Sequence, residues 1–270
     1  MPDEIPLSDL PGSAELTRNV TINLSQAQYE RMFFQPNQPR HGDYAKRFAN
    51  PTLLGPIGLT VPLTSTVLCL LGTAGAVPPY STVGVLGDYY MIGVISMVIA
   101  GLAEFILGNT FPFALFVLFG AHWGAIAYQQ DPITQNIAAF AKLGGPAGKI
   151  YNSSQTFHYA IMALFCAMIA IASIRVNVVF IVFFFALTGM FASIAGAHHG
   201  VPTESAEWAL HRLKIAGGFG VLAMVMGWYL LLVTMCETVG LPCPLPVFDL
   251  SGKVFKGYQE KMLLREQGKA

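Results

Sequence analysis

Six apolar runs dominate this chain: about Leu53–Val77, Val85–Leu107, Phe111–Tyr128, Thr156–Ile174, Val176–Gly196 and Ile215–Cys236. Each is close to the roughly 20 residues a helix needs to cross a hydrocarbon core. In lipid no water is at hand for exposed backbone groups, so such a run must close its own hydrogen bonds, as a helix does. Composition points the same way: 54% of the residues are hydrophobic and 11% charged, where soluble domains carry about 25% charged residues. The expected fold is an all-α integral membrane protein with six transmembrane helices.

An even number of crossings brings both termini to one side, and the basic residues choose the side. Arg18, Arg31, Arg40, Lys46 and Arg47 precede the first run. Lys253, Lys256, Lys261, Arg265 and Lys269 follow the sixth, and Arg175 marks the turn between the fourth and fifth. Only Lys142, Lys149, Arg212 and Lys214 fall on the opposite face. Basic loops stay inside, so both termini are expected in the cytoplasm; the plasma membrane is the expected location. The expected domains are a polar, largely mobile cytoplasmic tail over 1–49, a six-helix domain over 50–240 and a cytoplasmic C-terminal tail over 241–270. The first residues lack the basic start and apolar centre of a secretory signal, so insertion is expected to use the first run. Sequons at Asn19 and Asn23 lie on the cytoplasmic side of this topology, and Asn152 hugs the membrane; none is expected to be glycosylated. Residues 129–155 and 200–212 read as an outer cap.

Fifteen basic residues balance fifteen acidic ones, so no basic field argues for nucleic acid. Cys69, Cys166, Cys236 and Cys243 are scattered without ligand or disulfide spacing and read as small core residues. There is no phosphate loop, nucleophile elbow or metal triad. An enzyme is not expected, and neither a cofactor nor a metal.

Between the second and third runs stand only Gly108, Asn109 and Thr110, with Glu104 just before them. A charge at the centre of a membrane helix costs about 2.5–3.5 kcal/mol on insertion scales, so Glu104 is expected to face protein or water. The first run opens on Pro51 and Pro56, with Pro62 six residues further on. Proline has no amide proton, which leaves carbonyls without helical donors. Unsatisfied backbone is tolerated only where protein buries it or a wet cavity lines it, so this half-span is the best pore candidate. A kinked helix packed on its neighbours is the alternative. Small residues recur at Gly84, Gly87, Gly93 and Gly101, at Gly189, Ala192 and Gly196, and at Gly217, Gly218, Gly220 and Gly227. They allow helices to approach closely, within a subunit or between subunits.

Three motifs carry a family resemblance. They are Asn50-Pro51-x-x-Leu54-Gly55 before the first run, Glu104-x-x-x-Gly108-Asn109-Thr110-Phe111 at the hairpin, and Leu245-Pro246-Val247-x-Asp249-Leu250-Ser251 after the sixth. In this order the chain resembles the acetate uptake transporter family of bacterial succinate–acetate permeases and fungal acetate transporters, and its long polar N-terminus is more similar to the fungal branch. The resemblance implies a six-helix subunit in a homo-hexamer, each subunit holding its own pore for acetate and similar short monocarboxylates, with or without protons. It implies a constriction at Leu59, Phe119 and Leu187. Leu59 and Phe119 stand where the family has a Phe and a Tyr, so the gate here would be wider or drier. Leu53 and Pro56 likewise depart from the usual Pro and Leu.

An apolar constriction opposes a naked anion through desolvation, while donors on either side can hold a carboxylate. The candidates are Asn50, Thr60, Thr64, Asn109 and Thr188. For each threonine, back-bonding to its own helix is the competing role. Glu104 and His122 are the candidate protonation sites. His122 follows Phe119 by three residues and shares its helical face; a buried neutral imidazole with one partner is the alternative there. His158 reads as interfacial, and His198 and His199 as part of a solvated loop. Two other functions compete: export of ammonium, to which some fungal members of the family are linked, and a non-transporting membrane scaffold or sensor.

Overall fold

The computed structural model describes residues 49–243 and 245–250. The sequons at Asn19 and Asn23 and most of both expected tails lie outside the described residues. Six helices are long and apolar enough to cross a membrane: Pro51–Leu71, Asp88–Ile106, Thr110–Gln130, Lys149–Arg175, Val178–Gly200 and Ala206–Thr238. We label them α1 to α6. The chain is thus a multi-pass, all-α membrane protein.

Local sequence explains the helix ends. Asn50 caps the turn that opens α1 by accepting from the Thr52 amide at 3.1 Å, with Pro51 in the first position. That helix stops at Leu71 rather than running on to Val77, because Gly72 takes up a left-handed φ of 74°, where a side chain would be strained. The helix α2 opens with a π-helical stretch, Asp88–Val94, before settling into α geometry over Ile95–Ile106. Asn177 caps α5 by accepting from the Phe180 amide at 2.8 Å. Ser205 caps α6 through the Trp208 amide at 3.1 Å.

Two helices start well before their apolar runs. Lys149 to Gln155 is polar and reads as loop, yet α4 begins at Lys149. Asn152, 1% exposed, is held there as its amide donates to the Pro146 and Gly148 carbonyls at 2.8 and 3.0 Å. Likewise α6 begins at Ala206, so the expected outer segment 200–212 shrinks to Val201–Ser205. Trp208 lies against Gly200, and Arg212 sits over its ring at 4.7 Å.

The helices follow one another in the spatial order α4, α5, α6, α1, α2, α3. Aromatic side chains of α3, α4 and α5 close this row into a ring. The segment after α6 folds back on the bundle: Val247 is buried, the Val178 amide donates to the Phe248 carbonyl, and the Leu250 amide donates to the Val176 carbonyl. Among the described residues the only β pairing is the isolated bridge Asn177–Asp249.

Candidate transport pathway

A cavity of about 30 Å³ lies at the centre of this ring. The proline-rich start of α1 supplies Pro56, Leu59 and Thr60; α2 supplies Met97; α3 supplies Leu115, Phe116 and Phe119; α5 supplies Phe180, Phe183 and Phe184; α6 supplies Gly227 and Leu230. The wall is almost wholly apolar. Its rings interlock: Phe119 lies 6.1 Å from Phe184 between centroids, and Phe183 meets Phe184 edge-on at 5.1 Å.

Leu59 and Phe119 therefore come together on one cavity. Leu187 does not line it; it is 2% exposed and one turn beyond Phe184, which takes the wall position on α5. Of the expected donors, only Thr60 faces the cavity. Its hydroxyl lies where a side chain on Gly227 would stand, 2.9 Å from that glycine's Cβ position. Thr64 and Thr188 back-bond to the carbonyls of Thr60 and Phe184, each at 2.8 Å. Thr64 also accepts from the Trp228 indole at 2.9 Å. Asn50 is exposed and engaged as a cap.

Glu104 and Asn109 belong to a separate cluster at the hairpin. Gly108 turns the chain with φ 78°. Asn109 makes no side-chain cap on α3; its amide donates to one oxygen of Glu104, while the Thr52 hydroxyl donates to the other at 2.7 Å. Glu104 is fully buried. It thus faces protein, and the cluster ties the start of α1 to the α2–α3 hairpin. Sequence reasoning missed Thr52, although it stands two residues after Asn50 in the first motif.

On the other side of Phe119, His122 is 4% exposed and meets a partner the sequence did not suggest. Its Nδ1 lies 3.1 Å from Nε2 of His158, and the two rings stack at 5.2 Å. His158 is therefore not merely interfacial. Nor does His198 belong to a solvated loop: it lies within α5, half-buried, with Nδ1 2.9 Å from Asn152 Oδ1 and its ring stacked on Tyr159. A second polar group joins α1 to α2, where the Ser65 hydroxyl donates to Asp88 at 2.5 Å and Thr66 bonds Tyr89 at 2.8 Å. Among the described residues no three His, Cys, Asp or Glu side chains gather as a metal site.

A family model described as the GPR1/FUN34/yaaH family matches residues 33–252. The chain belongs to this family. A relative named Protein alcS, from two strains of Aspergillus fumigatus, is 30% identical over 249 residues, covering 90% of this chain and 91% of its own. Acetate permease A of Emericella nidulans is 28% identical over 200 residues, 73% of this chain and 64% of its own. Among solved structures, the bacterial acetate channel SatP is similar with a TM-score of 0.57 and 22% identity, over 74% of this chain and 99% of that one. That likeness shows a shared fold, and the family is the one the three motifs pointed to.

Proposed function

We propose that this protein passes acetate and similar short monocarboxylates across the plasma membrane, through a pore inside each six-helix subunit. The observation that carries this reading is the small apolar cavity at the centre of the helix ring, with Leu59, Phe119 and Phe184 in its wall. Two relatives of this fold are named for acetate, which supports the cargo. In such a passage a bare anion meets the cost of desolvation, and selection comes from size and dewetting. Leu59 and Phe119 form the narrowest part, with Leu187 as a second tier behind Phe184. Thr60 offers the hydroxyl nearest the cargo. Thr64 and Thr188 keep an acceptor lone pair beside the path, and Asn50 and Asn109 belong to its tail-side mouth. The imbalance of basic residues supports an orientation with both termini in the cytoplasm. The assembly is a homo-hexamer, and cargo crosses with protons rather than as a free anion.

Flux through purified protein in proteoliposomes tests this. Labelled acetate should enter only vesicles that contain the protein, and excess propionate should compete. Ammonium flux with no acetate flux would replace the cargo, and no flux of either would leave a scaffold or sensor.

A further inference from the structure

One buried group lies beyond the cavity with a hydrogen-bonding capacity that no described residue uses. His122 is 4% exposed, one helical turn along α3 from Phe119, and its Nε2 has no partner. Around it stand Phe191, edge-on at 5.0 Å, the ring of Phe119 at 6.5 Å and that of Trp123 at 5.7 Å. The titratable neighbours are both from α4: His158, bonded to Nδ1, and Tyr159, edge-on at 6.5 Å.

A neutral imidazole has one donor and one acceptor nitrogen, so the bond to His158 decides what Nε2 can do. If His158 donates, the His122 proton sits on Nε2, which becomes a donor. If His122 donates, Nε2 becomes an acceptor. A neutral carboxylic acid carries one O–H and one carbonyl, and so it complements either form.

We infer that His122, held by His158, is a binding subsite for the carboxyl group of a short, protonated monocarboxylic acid, directly beyond the Phe119 gate. This rests on the transport reading above. Nε2 takes the acid's O–H or its carbonyl according to the tautomer. His158 acts as the positioning residue, because it selects that tautomer without touching the acid.

The full chain, labelled with ¹⁵N-histidine in lipid nanodiscs, provides the test. The Nε2 signal of His122 is assigned by its loss in His122→Gln. Acetate at mildly acidic pH should shift that signal in the wild-type protein, and ammonium chloride should not. In proteoliposomes, His122→Phe should raise the KM for acetate by roughly tenfold, with a smaller change in maximal flux, while His122→Gln, which keeps a donor and an acceptor, should lie between. Acetate flux with an unmoved His122 signal, or an unchanged KM in His122→Phe, overturns the subsite and leaves the transport reading standing. A shift given equally by ammonium overturns the carboxyl assignment. A wild-type protein that carries no acetate overturns both. If His122→Phe does not fold, the wild-type titration decides alone.

Discussion

Glu104 illustrates how a single residue can secure one end of the bundle. Its two oxygens take the Thr52 hydroxyl and the Asn109 amide, so α1, α2 and the hairpin meet on one carboxyl group. Glu104→Ala would leave both donors buried without an acceptor, each at a cost of about 1–3 kcal/mol. It should lower the unfolding temperature in detergent clearly, and Glu104→Gln, which keeps one acceptor, should lower it less. Equal melting of all three proteins would show that the cluster does not hold the fold. Phe119 stands elsewhere, in the wall of the cavity. On the proposed reading Phe119→Ala removes a ring that meets Phe184 across the cavity wall, so larger acids such as lactate should gain flux relative to acetate. An unchanged lactate-to-acetate ratio at normal expression would remove Phe119 from the gate.

At the scale of elements, the small residues divide into two groups. In the α2–α3 pair a side chain on Gly93 would strike Trp123, one on Gly101 would lie 2.6 Å from Val117, and one on Gly120 would lie 3.1 Å from Met97. These glycines let the two helices touch along their length. By contrast, a Cβ on Gly84, Gly87, Gly196 or Gly218 would meet no packed neighbour within 4 Å among the described residues. Gly101→Leu should therefore destabilise the hairpin by about 1–3 kcal/mol, the usual cost of overpacking, seen as reduced monodisperse yield in size-exclusion chromatography. Gly196→Ala should leave the packing of the subunit unchanged. Helix ends were harder to read than helix centres. The polar start of α4 looks like loop until Asn152 is seen bonded to Pro146, Gly148 and His198.

For the whole molecule, an apolar cavity enclosed by five of the six helices has a consequence for pH. A carboxylate must lose its hydration to enter such a space, whereas the neutral acid gives up far less. Acetate uptake into vesicles should therefore rise as the outside pH falls, by up to about tenfold per unit, the factor by which the neutral fraction grows above the acid's own pKa. Uptake that is flat with pH would mean that the anion itself passes. The returning C-terminal segment, paired with the start of α5 through Asn177 and Asp249, belongs to the same unit as the helices, although composition marks it as tail.

The sequence by itself determined that this chain lives in a membrane, crosses it six times and turns sharply at Gly108. Lipid enforces helical crossings on any apolar run of sufficient length, and Gly108, at φ 78°, takes up the turn. The sequence also exposed Glu104 and Asn109, because polar groups are rare in such surroundings. Only the tertiary structure decided that Thr52 meets Glu104, that His158 meets His122, and that Phe184 rather than Leu187 lines the cavity. The cause is in the helices themselves: the apolar central stretches of α3, α5 and α6 have no one-sided stripe of hydrophobic residues to mark an inner face. Their rotation about their own axes is set by ring packing and by glycine contacts between distant segments, and those contacts exist only once the bundle has formed.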